Sequence, residues 1–334
     1  MTDHADVNAA RAGEEFVVVV NPRTLRGPCA GLWDEALARL RGARRLFCLP
    51  TAGGSDPMRI ATLIASAPPS VVVAAGGDGT VRDVAEALVW AALPTQPALA
   101  IVPLGTANNV ARSLGLPALR QHGAAAMRCA VDTVLAGREQ PLDVGCAGGN
   151  LFVGSFAIGM DAAILAARNR WRRRWRLDGD LGGYPLYLLS CAVNLARHRR
   201  VAGVLHVDGS ALDAPIYDLL ILNTALYAGE FRFDGTDHSA DARLDLHLFT
   251  GPADYVRAFV AAWRRHLRAV RGAPLRPPAR MRRVERVEIA LARPLAGQLD
   301  GEEHRAADRY EVHVQPHAIR VRLPQQRGAG VTPR

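Results

Sequence analysis

Val71-Val72-Val73-Ala74-Ala75-Gly76-Gly77-Asp78-Gly79-Thr80, followed by Val81-Arg82-Asp83-Val84-Ala85-Glu86-Ala87-Leu88, decides the fold of this chain. The unbroken apolar run reads as a buried strand, and the residues after Thr80 read as a helix. A strand therefore ends in a glycine-rich turn that opens a helix, with the carboxylate of Asp78 at the apex. Glycines let backbone N–H groups close on a phosphate, and a helix N-terminus adds positive dipole. Asp78 would repel a bare phosphate, but it can hold a Mg²⁺–phosphate or a reacting hydroxyl.

A second loop of the same kind follows. Ala98 to Val102 is an apolar strand running into Pro103-Leu104-Gly105-Thr106-Ala107-Asn108-Asn109-Val110-Ala111-Arg112. Adjacent strands of a parallel sheet bring both loops to one carboxyl edge, where α/β proteins bind ligands. One glycine-rich turn is a weak signal, and two in successive strand–helix units are a strong one. Working outward, Phe16–Val20 and Arg45–Leu49 read as further strands. Trp33–Arg45, Pro57–Ala65 (Asp56 as N-cap) and His122–Ala136 read as helices. The alternation argues a doubly wound parallel-sheet nucleotide domain over 15–140. From 141 to 326 the texture is β-rich and sandwich-like. Strands are expected in Leu142–Ile158 and at Val201–Val207, Tyr217–Asn223, Leu244–Phe249, Val284–Leu291 and Glu311–Leu323. Helices are expected at 162–176, 185–197 and 252–271. Residues 1–14 read as a flexible N-terminus and 327–334 as a tail.

Composition narrows the chemistry. The chain has 334 residues, 49% of them hydrophobic and 22% charged, as in a globular protein of two ordinary domains. Its five cysteines are scattered, without disulfide or zinc spacing, which suits a reducing cytosol. No signal peptide and no membrane span is legible. All 41 of its Lys/Arg positions are arginine. A Walker A lysine, a protein-kinase strand lysine and a Schiff-base lysine are thereby excluded. Phosphate must be held by backbone N–H, hydroxyls, arginine or metal. The net charge of +9 favours an anionic partner. No nucleic-acid motif appears, and a nucleic-acid partner is not expected.

The chain resembles the diacylglycerol kinase-like lipid kinases, a superfamily that includes sphingosine kinases. The resemblance rests on Gly76-Gly77-Asp78-Gly79-Thr80, on Pro103 to Asn109, on Asn21-Pro22 after the first strand, and on Asp300-Gly301-Glu302 near the end. The first motif alone is shared with NAD kinases. The second loop and the late Asp-Gly-Glu favour the lipid branch. A catalytically silent, lipid-binding member of the fold remains a further alternative. The resemblance implies ATP and Mg²⁺ as cofactors, an active site between the two domains, and phosphoryl transfer to a hydroxyl of a diacylglycerol-like or sphingoid lipid. It also implies a cytoplasmic location, peripheral to the inner face of an anionic membrane. A homodimer is compatible with it.

Residue by residue, the resemblance makes Asp78 catalytic beside a Mg²⁺ and Glu302 the general base. Asn21, Pro22, Thr51, Gly76, Gly77, Gly79, Thr80, Gly105, Thr106 and Asn108 become nucleotide contacts. Capping competes with that role at Thr106 and Asn108. An acid between glycines is not needed as a cap, which favours function at Asp78. The family commonly has Asp where Asn109 stands and continues Asn-Pro with a small residue and glycine, where this chain has Arg23 to Gly27. Arg23 or Arg26 is a candidate phosphate contact in their place. Asp241, with the carbonyls of His238 and Arg243, matches a structural Mg²⁺ site of bacterial members. A solvated turn is the competing reading, and Ala242 replaces the usual glycine.

Two segments speak to a surface. Arg168, Arg170, Arg172, Arg173, Arg174 and Arg176 surround Trp171 and Trp175 with no acid among them. A solvated helix face, a membrane interface and a nucleic-acid contact are all open there. Val256, Phe259, Val260, Trp263, Leu267 and Val270 lie on one helical stripe and read as core packing.

Overall fold

The computed structural model describes residues 15–25, 28–52, 56–175, 183–233, 239–271 and 282–325. The calls on 1–14 and 327–334, and on Arg26, Arg176 and His238, lie outside the described residues. The chain forms two compact units. One runs to Leu142 and resumes at His317, and the other comprises Asp143–Pro316.

The first unit alternates strand and helix as the apolar runs dictate. Its elements are β1 (Glu15–Val20), α1 (Pro28–Ala43), β2 (Arg45–Pro50), α2 (Asp56–Ser66), β3 (Val71–Gly76), α3 (Asp78–Ala91), β4 (Ala98–Pro103), α4 (Asn109–Ser113) and α5 (Leu119–Ala136). The strands are parallel in the order β2-β1-β3-β4. Every residue of β3 and β4 is buried, because helices cover both faces of a doubly wound sheet. Helix α1 packs on α5, and α2 on α3. Helix α5 begins three residues before the expected His122, across a kink at Gly123, whose φ of 46° leaves the helical region.

The second unit is antiparallel. β5 (Arg138–Ala147) leads into it, followed by β6 (Asn150–Phe152), β7 (Ser155–Gly159), α6 (Met160–Trp175) and α7 (Gly183–Arg197). Then come β8 (Val201–Val207), β9 (Ser210–Ile216), β10 (Asp218–Leu222), β11 (Leu226–Tyr227), β12 (Phe231–Arg232) and β13 (Leu244–Phe249). Helix α8 (Pro252–Val270), β14 (Arg282–Val284), β15 (Arg286–Leu299) and β16 (Glu302–Leu323) complete the chain. The last residues of β16 belong to the first unit, where Arg320 and Val321 pair in parallel with Ala98 and Leu99.

Period-2 alternation sorts this unit into two cores. Phe156, Ile158, Leu219 and Ile221 join an aliphatic cluster with residues of β8, β15 and β16. Ala157, Leu220 and Leu222 point the other way, into an aromatic cluster closed by α6, α7 and α8. Strands cover one face of β7 and β10 and helices the other, so the β-rich half is sandwich-like on one side only. β9 and the first half of β16 were not foreseen, since their exposed residues break the apolar alternation. The Asp208-Gly209 turn is the signal that would have found the β8–β9 hairpin: both residues take positive φ (47° and 83°), as a two-residue hairpin turn requires.

Candidate active site

The carboxyl edge of the parallel sheet gathers the expected nucleotide contacts of the first unit. Register aligns Val20 with Ala75 and with Pro50, and Gly76 with Pro103. Asn21, Thr51, Gly77 and Leu104, each one residue beyond, therefore leave the sheet side by side. Asn21 N donates to Ala75 O at 2.9 Å and Thr51 N to Val20 O at 2.8 Å. Pro22–Thr24 is a short 3₁₀ turn capped by Asn21, whose Oδ1 accepts from Arg23 N at 3.0 Å. This turn occupies the place of the family's small residue and glycine and holds Arg23 exposed at the edge.

The two glycine loops are packed on one another. Leu104 N and Gly105 N both donate to Gly76 O, at 2.9 and 3.2 Å. A Cβ on Gly105 would stand 2.5 Å from Gly77 Cα and 2.7 Å from Asn108 Oδ1, and a Cβ on Gly76 would collide with the buried Thr80 side chain. Asn108 takes a left-handed φ of 48° and spends its side chain inside the loop. Its Oδ1 accepts from Gly105 N (3.0 Å), and its Nδ2 donates to Gly105 O (2.8 Å) and Pro103 O (3.2 Å). Thr106, by contrast, is exposed on the rim.

Asp78 is the first residue of α3, and it is a cap after all, for a different helix. Its Oδ2 accepts from Asn109 N (3.0 Å) and Asn109 Nδ2 (3.3 Å), and its Oδ1 accepts from Val110 N (3.0 Å). One carboxylate thus ties the first loop to the start of α4. Asn109 also explains its own departure from the family pattern: an aspartate there would set a second carboxylate against Asp78, whereas the amide donates to it. Burial raises the Asp78 pKa, against the opposing pull of the Val110 and Asn109 hydrogen bonds and of Arg112. A half-buried carboxylate beside two glycine loops suits a divalent cation arriving with a nucleotide. The N–H groups of Asp78, Gly79 and Thr80 have no intrahelical acceptor, as at any helix start.

In the second unit, Asp300-Gly301 is a two-residue hairpin turn with φ of 48° and 82°. Asp300 accepts from the backbone N–H of Val153, Gly154 and Ser155, each at 2.8 Å, which locks the turn to the β6–β7 junction. Glu302 follows at the start of β16 with an exposed side chain. Its neighbour Glu303 accepts from Asn169 Nδ2 at 2.8 Å and lies 3.5 Å from Arg173.

Of the expected structural-cation site, Asp241 and Arg243 are among the described residues and His238 is not. The Asp241 carboxylate is ion-paired with Arg283, which also approaches Asp245 at 3.9 Å, so an arginine already supplies the positive charge. Asp241 Oδ1 accepts from Arg243 N at 3.1 Å. Ala242 has a φ of 61°, a conformation that favours glycine, and its N–H donates to the buried Asp143 at 2.6 Å. Among the described residues, no three His, Cys, Asp or Glu side chains gather into a cation cage.

Sequence reasoning missed a buried polar cluster beneath α6. Asp161 and Asp218 are both buried: Asp218 Oδ1 accepts from Asp161 N at 2.9 Å, and Tyr255 donates to Asp161. Burial pushes Asp161 up to about 6 and Asp218 well above the usual carboxylate range. Two neighbouring buried carboxylates oppose each other's ionisation, so they titrate as a pair. The signal was an acid at the end of each of two apolar runs, Gly159-Met160-Asp161 and Tyr217-Asp218-Leu219.

Comparison with known proteins bears on the family and the fold. The diacylglycerol kinase catalytic domain family matches residues 15–147. A probable YegS-like lipid kinase of Pseudomonas aeruginosa is 31% identical over 294 residues, 86% of this chain and 87% of that protein. One from Chromohalobacter salexigens is 37% identical over 58% of each chain. A crystal structure of a putative diacylglycerol kinase from Bacillus anthracis shares the fold with a TM-score of 0.69, at 18% identity over 93% of this chain and 97% of that one. The chain belongs to the diacylglycerol kinase-like lipid kinase superfamily.

Proposed function

We propose that this chain transfers the γ-phosphoryl group of ATP to a hydroxyl of a diacylglycerol-like or sphingoid lipid. The observation that carries the reading is the pair of interlocked glycine loops with Asp78 between them, at the carboxyl edge of a parallel sheet in a lipid-kinase family chain. Use of ATP follows from the kinase family. The loop glycines and the first turn of α3 offer N–H groups to phosphate oxygens, with Asn21, Pro22, Thr51 and Thr106 on the same edge for the rest of the nucleotide. Mg²⁺, held with the phosphates by Asp78, would neutralise their charge. Glu302 is the candidate base: as the new O–P bond forms and the γ-phosphoryl leaves ADP, the hydroxyl proton passes to its carboxylate. Asp241, His238 and Arg243 are left out of this scheme.

The acceptor would be met at an anionic membrane surface. Among the described residues, no helix is long and apolar enough to cross a membrane. Trp171 and Trp175 stack with ring centroids 6.0 Å apart at the end of α6, beside exposed Arg172, Arg173 and Arg174. Aromatic rings with arginines suit a headgroup region. The test is incubation with labelled ATP and a total lipid extract, with NAD as the control acceptor. A phosphorylated lipid is the expected product. Label in NAD alone, or in nothing, would sink the reading.

A further inference from the structure

Helix α8 does not do what its stripe suggests. Tyr255, Phe259 and Ala262 face inward and are buried in the aromatic cluster. The neighbouring row, Val256, Val260, Trp263 and Val270, is 42%, 40%, 44% and 68% exposed. The expectation of core packing is corrected for these four. The helix has an apolar face wider than the sheet can cover, because each residue step turns it by about 100°. The next row round holds Arg257, Arg264 and Arg268, with Arg271 just past the last turn, all exposed. The helix contains one acid, Asp254, in its first turn, and it is engaged with Thr250 and Arg257. Around the axis run a buried aromatic row, an exposed aliphatic and tryptophan row, and an arginine row. Helix α7, packed on the same aromatic cluster, adds exposed Leu188, Leu189 and Leu195.

We propose that α8 docks this protein on an anionic lipid bilayer, with Val256, Val260, Trp263 and Val270 at the acyl boundary and the arginine row on headgroup phosphates. Charge selects this occupant. A second copy meeting the same row would press two arginine rows together, and a nucleic acid would have no use for the aliphatic row. A basic amphipathic helix with an uncovered apolar row has the composition of an interfacial helix. The inference rests on the proposed lipid acceptor and says where that acceptor's surface is met. It adds apolar contact to the arginine-rich end of α6.

The test uses the full chain and vesicles of phosphatidylcholine with or without about one-third phosphatidylglycerol. In the first variant, Val256, Val260 and Trp263 are all changed to Ser, and its fold is checked by circular dichroism and melting. It should lose at least about tenfold in vesicle partitioning. In the second, Arg257, Arg264 and Arg268 are changed to Ala, which should remove the preference for phosphatidylglycerol. ATP turnover on a short-chain, water-soluble acceptor should be unchanged in both. Wild-type partitioning by the serine variant overturns the proposal. So does a dimer that the serine changes convert to monomer while vesicle binding persists, since the occupant is then a second copy. Lipid phosphorylation in detergent micelles without any α8 effect on vesicles defeats this inference alone. Vesicle docking through α8 without lipid phosphorylation defeats the kinase reading alone.

Discussion

The glycine-loop edge of the first unit and the helical layer of the second handle polar groups in opposite ways. At the edge, one half-buried carboxylate is matched by three donors from the second glycine loop. In the helical layer, Asp161 and Asp218 are buried next to each other and both are pushed toward the protonated form, while arginines and apolar side chains are displayed outward. Two loops that the parallel sheet sets side by side build the first arrangement. The second exists only because sheet and helices close over it.

The most severe way to break the comparison is Asp78→Asn. The amide keeps one of the two acceptors that the α4 N–H groups use, and packed glycines set the turn, so the fold should survive while phosphoryl transfer is abolished. Retention of more than about a tenth of wild-type kcat, a loss of only ~1.4 kcal/mol, would show that the carboxylate is a cap and nothing more. Glu302→Gln comes next. A base acts on the acceptor, so kcat should fall by roughly 10²-fold with ATP affinity unchanged. Parallel weakening of ATP binding, read by calorimetry, would make it a nucleotide or metal ligand instead.

On the helical layer, changing Arg172, Arg173 and Arg174 together to Ala should weaken binding to anionic vesicles by up to ~1 kcal/mol per charge, and salt should mimic the change. Co-sedimentation at low and high salt checks it. Binding that ignores both salt and the triple change would mark this end of α6 as a solvated face.

The smallest effect sharpens the contrast through pH. The folded-state pKa of Asp161 lies above its unfolded value, so the folded state holds the proton more tightly. Stability therefore falls as pH rises from about 4 to about 6, and the penalty is fully present above that. Asp161→Asn removes one member of the titrating pair and should gain on the order of 2–3 kcal/mol relative to wild type between pH 4 and pH 7. His247 works in the other direction. Burial lowers it to about 4, and stability is lost as pH falls from about 6.5. It is common to both proteins and cancels in the difference. A difference in melting free energy that stays flat across the window would mean that Asp161 is not the group that binds the proton.

Much of the first unit was legible because its signals are local. Val71–Gly76 and Ala98–Pro103 are strands by apolar run alone, and Gly77 and Gly105 are glycines because their backbones touch. Asp208-Gly209 and Asp300-Gly301 are equally local, yet only the second drew notice, through its resemblance to family members. The role of Asp78 as a cap for α4 was not legible, because the carboxylate and the N–H groups it serves lie 31 and 32 positions apart. The ion pair of Asp241 with Arg283 was hidden for the same reason.

Sequence by itself determined the strand–helix alternation, the doubled glycine loops, the exclusion of any lysine chemistry and the family, since each depends on residue type at short spacing. Tertiary structure alone decided which face of each helix is spent on the core. Helix α8 offers more apolar surface than the sheet beneath it can cover. The stripe's periodicity is the same whether a row is buried or bare, and only the packing of α6, α7 and α8 on the aromatic cluster leaves Val256, Val260, Trp263 and Val270 uncovered.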